Sequence, residues 1–142
     1  MKKINFNHFN LLFVSIFIAG CGFQAAVFDQ AAYEHSVSLK VDALNLMGKA
    51  TSPYDSCRTE IEAVIVEFQK AYEYAKGLPN NDETVKQYEI MMDPQQASFF
   101  GFLARWESEG RLGATFVGDA RAEVSRHFDD VIGLESGKKK KT

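Results

Sequence analysis

The stretch PYDSCRTEIEAVIVEFQKAYEYAK, residues 53–76, decides the fold class because its apolar side chains repeat with the period of an α-helix. Successive helical residues are turned by about 100°, which places its apolar side chains within an arc of about 120° and its charged ones outside. Ser52 and Pro53 are typical of a helix start, and Gly77 and Pro79 of a helix end. The sequence therefore predicts an amphipathic helix with an apolar arc of Cys57, Ile61, Val64, Ile65, Phe68, Ala71, Tyr72 and Ala75.

Helical spacing of apolar residues extends to both sides of this segment. It predicts one helix upstream, over about 27–49, and a short helix downstream, over about 81–92. Asp93 is then expected to cap a helix over about 93–109, and a last helix covers about 116–132. No segment alternates convincingly with the period of a strand. We therefore predict an all-α fold, a small antiparallel bundle of four main helices plus a short one.

The first 20 residues have the three parts of a secretory signal peptide. Lys2 and Lys3 give a positive start, an apolar run of eight (LLFVSIFI, residues 11–18) follows, and the small residues Ala19 and Gly20 come next. This run of eight positions, interrupted only by Ser15, is too short to cross a bilayer, which takes roughly 20 apolar residues. The sequence therefore predicts a signal peptide that is removed on export.

The segment Ile18-Ala19-Gly20-Cys21 resembles the lipobox of bacterial lipoproteins, in which a cysteine directly follows a small residue. The resemblance implies cleavage between Gly20 and Cys21 and attachment of a diacylglyceryl group to the Cys21 sulfur. Ile18 stands where the family usually has leucine. Gly22 stands where an aspartate commonly signals retention in the inner membrane, so the resemblance favours the periplasmic face of the outer membrane in a Gram-negative host. The alternative is an ordinary cleaved signal with an unmodified cysteine.

Charge and composition divide the chain into four parts. After the signal peptide, 1–20, we expect a lipidated N-terminus and tether over 21–26, a helical domain over 27–135 and a disordered lysine-rich tail over 136–142. The chain without its signal peptide carries 14 basic and 19 acidic residues, and four of the basic ones lie in the tail. Such an acidic body does not attract phosphate backbones, which excludes nucleic acid as the main partner. The tail has a second interpretation, attraction to an anionic membrane or wall polymer.

The remaining reactive side chains form no recognisable catalytic or metal-binding motif. If Cys21 carries lipid, Cys57 is the only thiol left, and it lies on the apolar arc, where a buried and inert thiol is usual. His35 and His127 have neither the spacing nor the cysteine partners of a metal site, so we predict no metal and no cofactor. An enzyme would require His35, His127 or Cys57 to meet carboxylates in a cleft.

The densest aromatic segment is FFGFLARW, residues 99–106. Its large apolar side chains share one helical face, which favours a place in the core of the bundle. The alternative is a face that binds a partner or a small apolar or haem-like ligand. The residues of this possible site are Phe99, Phe102, Leu103 and Trp106.

From these features we expect a lipid-anchored, non-catalytic binding or accessory protein of the cell envelope. Its partners would be the membrane, through the N-terminal lipid, and an envelope protein held at high local concentration by the anchor. A bundle that binds a small apolar or haem-like ligand is the alternative, and an enzyme with a histidine or cysteine site is the third hypothesis.

Overall fold

The computed structural model describes residues 26–138, which form α-helices and connecting turns with no strand. The prediction of an all-α fold is confirmed. The signal peptide, Cys21 and residues 139–142 lie outside the described residues. A short 3-10 turn, Tyr54–Cys57, precedes the second helix. The five α-helices are α1 (Gln30–Met47), α2 (Arg58–Gly77), α3 (Asp82–Met92), α4 (Phe99–Glu109) and α5 (Ala114–Lys138).

The helices pack around one apolar core. α1 contacts α2 and α5, and α3 contacts α2, α4 and α5. Phe68 of α2 lies at the centre, where its ring stacks on Phe99 at 5.4 Å and meets Tyr88 and Phe128 at 5.7 and 5.8 Å. Each fully buried apolar side chain of this kind stabilises the fold by about 1.5–3 kcal/mol. The predicted apolar arc of α2 therefore faces the core, with Cys57, Ile61, Phe68, Ala71 and Ala75 buried.

The predicted start of the second helix is wrong. Ser52 does not cap it, and Pro53 has an extended backbone with ψ of 134° instead of standing at the first helical position. The Tyr54 amide donates a hydrogen bond of 2.8 Å to the Gly110 carbonyl, on the turn between α4 and α5. This tertiary contact fixes the segment before α2, so the regular helix begins only at Arg58.

The predicted start of the fourth helix is also wrong. The Asp93 carboxylate accepts a hydrogen bond of 2.8 Å from the Gln95 amide, which forms a local turn that competes with a helix. Ser98 caps α4 instead, because its hydroxyl accepts from the Gly101 amide at 3.0 Å. A side chain at Gly101 would overlap the Gln96 carbonyl, so this tight turn requires glycine.

The last helix is longer than predicted. We expected it to end near residue 132 and the tail to begin at 136, yet α5 continues to Lys138. Glu135 is completely buried and Lys138 is 9% exposed, and both side chains make hydrogen bonds inside the domain. These buried contacts hold the final turn of α5 in place. The glycine and lysine residues of this segment had favoured a disordered tail.

Candidate functional site

A groove of about 660 Å³ runs along the surface between the second half of α1 and the first half of α2. Its apolar lining includes Leu46 of α1 and Ala63 and Val64 of α2. This volume is within the range of ligand-binding sites, although the groove is open to solvent along its length. We call it the α1–α2 groove.

The α1–α2 groove keeps large apolar side chains in contact with solvent. Val66 on its α2 wall is 45% exposed. Val64 on the same helix is half-buried and also lines the groove. One of the five exposed large hydrophobic residues in the described part of the chain, Val66, thus lies in this groove.

The walls of the groove are acidic. Among the described residues, Lys49 is its one basic lining residue, and its ammonium lies 2.5 Å from a carboxylate oxygen of Glu60, which joins the end of α1 to the start of α2. The hydrogen bond to Glu60 raises the pKa of Lys49. Asp42 on the α1 wall and Glu62 on the α2 wall make no hydrogen bond or ion pair with any described residue. Two carboxylates on opposite walls are therefore available to a partner.

The four α4 residues of the possible site predicted from the sequence, by contrast, lie in the core. Phe99, Phe102, Leu103 and Trp106 are all buried, and we call them the aromatic cluster. The Trp106 indole donates a hydrogen bond of 3.1 Å to the Ser52 carbonyl and meets the Tyr54 ring edge-on at 5.5 Å. Their apolar surfaces are occupied by side chains of the domain, which agrees with the core interpretation that we favoured for them.

One member of the aromatic cluster also borders a smaller groove. Phe102 lines a depression of about 380 Å³ between α4 and α5, together with Phe116 and Arg105. The Phe102 and Phe116 rings stack at 6.1 Å, and the Arg105 guanidinium lies 4.0 Å from the centre of the Phe116 ring. The arginine thus already covers the exposed aromatic face with a cation–π contact.

A second feature is a buried polar cluster between α3 and α5, which consists of Asn81, Thr84, Glu135 and Lys138. One Glu135 oxygen, Oε1, accepts hydrogen bonds from the Thr84 hydroxyl at 2.7 Å and the Lys138 ammonium at 2.5 Å. Lys138 also donates to the Asn81 side chain. The other oxygen, Oε2, is buried with no hydrogen-bond partner among the described residues. The polar cluster ties the end of α5 to the start of α3.

Tyr88 of α3 adds a buried hydroxyl to this side of the core. Its Oη lies 3.0 Å from the Ser36 hydroxyl, and Ser36 donates to the Ala32 carbonyl. Burial raises the pKa of Tyr88 to about 12, and the negative charge of Glu135 acts in the same direction. The phenol is therefore held in its neutral form well above neutral pH.

Cys57 and His35, two of the side chains considered for catalysis, lie near opposite ends of α2. Cys57 is buried at the start of α2, whereas the exposed His35 ring packs at 5.4 Å on Tyr74, close to the other end of α2. About 17 helical residues, or roughly 25 Å, separate these two ends. His127 lies on α5, 3.6 Å from a Glu123 oxygen. Within residues 26–138, no three histidine, cysteine or acidic side chains are grouped as a metal would need.

Neither the α1–α2 groove nor the polar cluster was predicted from the sequence. The polar cluster had a signal, because Glu135 and Lys138 continue the buried stripe of Val124, Phe128 and Val131 at helical spacing. The sequence pattern of α2 did not indicate the groove, because Ala63 and Val66 lie outside the apolar arc and resemble part of a solvated face.

None of the α-helices between residues 26 and 138 combines the length and the apolar character that a membrane crossing requires.

Comparison with known proteins does not assign this chain to a family. The chain matches no protein-family model, no curated protein and no solved structure.

Proposed function

We propose that this protein is a lipid-anchored binding or accessory protein of the cell envelope, which uses the α1–α2 groove to bind a partner protein. The observation that carries the proposal is the groove itself, which is lined by the exposed Val66 and by Asp42 and Glu62, two carboxylates that no described residue pairs. Contiguous apolar surface that a domain does not bury for itself often marks an interaction site. Val66 lies outside the core, so its apolar side chain is accessible to a partner.

The anchor in this proposal is Cys21, from the resemblance of residues 18–21 to a lipobox. Asp29 lies eight residues after Cys21 in the chain. Its carboxylate caps α1 by accepting a hydrogen bond of 2.9 Å from the Ala32 amide. A fully extended chain of that length reaches at most about 28 Å. The domain would therefore stay close to the bilayer, and its groove would meet envelope partners at high local concentration.

The antiparallel arrangement of the bundle belongs to the same proposal. Contacts between α1 and α2 support it, because Asp29 accepts a hydrogen bond from Tyr74 while Lys49 pairs with Glu60. Residue numbers thus fall along α2 as they rise along α1. Among the described helices, only α1 and α2 contribute residues to the lining of the groove.

The anchor is tested by the intact mass of protein extracted from membranes, for the wild type and for Cys21→Ala. We expect a species that lacks residues 1–20 and carries added acyl mass, and we expect the Cys21→Ala protein to lack that mass. Unmodified protein in both strains would contradict the anchoring step.

Partner binding is tested by mild crosslinking in intact envelopes, followed by purification of the wild-type protein and of Val66→Arg. We expect a specific envelope protein with the wild type and its loss with Val66→Arg. Recovery of the same protein with both would place binding elsewhere, and recovery of none with the wild type would contradict the proposal.

A further inference from the structure

We infer that the occupant of the α1–α2 groove is a helical segment of a partner protein, with a narrow stripe of small apolar residues flanked by lysine or arginine. This inference rests on the proposed function and assigns the chemistry of the partner. It is supported by the shape of the groove, by its charge and by the occupants that the charge disfavours.

The shape of the groove fits a helix. Its α1 wall is formed by Asp42, Leu46 and Lys49, which repeat at intervals of four and three residues. Its α2 wall repeats in the same way, through Thr59, Ala63 and Val66. Each wall is thus a straight helical stripe of about two turns, roughly 10 Å long. A trough between two such stripes is the surface on which an amphipathic helix lies in helix-in-groove recognition.

The small and branched side chains that line the groove limit what the partner helix presents. Thr59 and Ala63 are small, which permits close approach of another helix backbone. Val66 and Val64 supply modest branched surfaces that suit small side chains better than a large ring. The matching stripe on the partner therefore consists of small or medium apolar residues such as alanine, valine or leucine.

Charge sets the residues on either side of that stripe. Within the described part of the chain, the groove is lined by four carboxylates and one ammonium. Lys49 already pairs with Glu60, and Glu67 pairs with Lys70, so Asp42 and Glu62 remain on opposite walls. A helix with basic residues on both flanks of its apolar stripe meets one carboxylate on each wall. Such complementary rims steer encounter and fix orientation.

The same carboxylates disfavour a second copy of this chain as the occupant. A symmetric dimer through the groove would place the same acidic surface on both subunits. Like charges brought together across an interface oppose association.

The test uses protein purified from membranes in a neutral detergent and two synthetic helical peptides rich in alanine, one with lysines and one with glutamates at the same positions. Binding of each fluorescently labelled peptide is followed by anisotropy. We expect the lysine peptide to bind and the glutamate peptide not to bind. We also expect Glu62→Lys to weaken binding at least about fivefold, because it reverses one rim charge.

Two matched control variants distinguish peptide binding in the groove from a general attraction of the lysine peptide to the acidic surface. Glu83 is an exposed residue of α3 without an ion pair among the described residues, so Glu83→Lys changes the net charge as Glu62→Lys does. Ile90 of α3 is 43% exposed and serves as the control for Val66. We expect Val66→Arg to abolish binding of the lysine peptide and Ile90→Arg and Glu83→Lys to leave it within about twofold. Circular dichroism checks that each variant remains helical.

Equal binding of the two peptides, or binding of neither at about 1 mM, would overturn the inference. So would an equal loss with Glu83→Lys and Glu62→Lys, or a dimer that Val66→Arg dissociates. The intact mass of the same preparation tests the anchor separately, so failure of the proposed function and failure of this inference give different results.

Discussion

The aromatic cluster of α4 and the α1–α2 groove differ in burial and in whether their polar groups have partners inside the domain. The four side chains of the aromatic cluster are buried against residues of the domain, and the Trp106 indole has its hydrogen-bond partner in Ser52. The groove leaves Val66 exposed and gives Asp42 and Glu62 no partner among the described residues. The cluster is complete within the domain, whereas the groove has surface and charge that another molecule can satisfy.

The difference shows that a segment rich in aromatic residues is not necessarily accessible to a binding partner. Aromatic rings contribute the most apolar area per residue, so their burial dominates the energetics of a core. A binding surface that must remain soluble without its partner exposes little contiguous apolar area and has a polar rim. Substitutions in the two regions test this distinction, from the largest expected effect to the smallest.

The largest effect is expected for Trp106→Ala. The substitution leaves a cavity beside Phe102 and Tyr54 and removes the hydrogen bond of the indole. We expect a loss of about 3–5 kcal/mol in the free energy of unfolding. Urea denaturation followed by circular dichroism measures it. A loss below about 1 kcal/mol would mean that the cluster is not closed core.

The second effect concerns the polar cluster. Lys138→Met removes the positive partner of Glu135, which is completely buried. We expect a loss of about 3 kcal/mol at neutral pH, because an uncompensated charge remains inside the domain. The double variant Glu135→Gln/Lys138→Met should recover at least half of that loss, since the glutamine side chain is neutral and can still accept from Thr84. A single variant as stable as the wild type would contradict a buried ion pair.

Alkaline pH should act through Tyr88. The pKa of Tyr88 is about 12 in the folded protein against about 10 in an unfolded chain. A raised folded pKa gives stability that is complete below pH 10 and is lost as the pH rises toward 12. We expect this residue to account for about 2–3 kcal/mol of the loss over that interval.

The control for this pH dependence is Tyr88→Phe. Ser36 keeps its hydrogen bond to the Ala32 carbonyl in the variant, so the substitution removes the titrating group with little other change. We expect a shallower fall in stability between about pH 10 and 12, measured by denaturation at several pH values. Identical slopes for the two proteins would contradict the assignment to Tyr88.

The smallest effect on stability is expected in the groove. Val66→Arg and Ile90→Arg replace side chains of nearly equal exposure, 45% and 43%, and we expect both to change the free energy of unfolding by less than about 0.5 kcal/mol. The same denaturation assay measures both. A loss above about 2 kcal/mol for Val66→Arg alone would show that Val66 belongs to the core, and its exposure would no longer indicate a binding surface.

Helix type and core faces were predictable because they follow from spacing along one helix. The arc of α2 faces the core as its period indicates, with Cys57, Ile61, Phe68, Ala71 and Ala75 buried and Val64, Ile65 and Tyr72 partly buried. The starts of α2 and α4 were not predictable in this way. They depend on the hydrogen bond from Tyr54 to Gly110 and on a local turn at Asp93, which compete with the capping pattern of the sequence.

The candidate site was less predictable than the fold because it is a property of two helices. Ala63, Val66 and Glu62 are ordinary residues of an exposed helical face when α2 is considered alone. They form a candidate binding surface only because α1 lies beside them and none of the other described helices covers the α1–α2 groove. Cys21, which carries the proposed anchor, belongs to a local motif and lies outside the described residues.

The most direct test of the difference between groove and core is site-specific photocrosslinking in intact cells. A benzoylphenylalanine residue replaces Val66 in one strain and Ile90 in another, and adducts are detected after irradiation by their shift in electrophoretic mobility. We predict a discrete adduct with an envelope protein from position 66 and none from position 90. Adducts of equal yield from both positions, or from position 90 alone, would contradict the assignment of the α1–α2 groove as the binding surface.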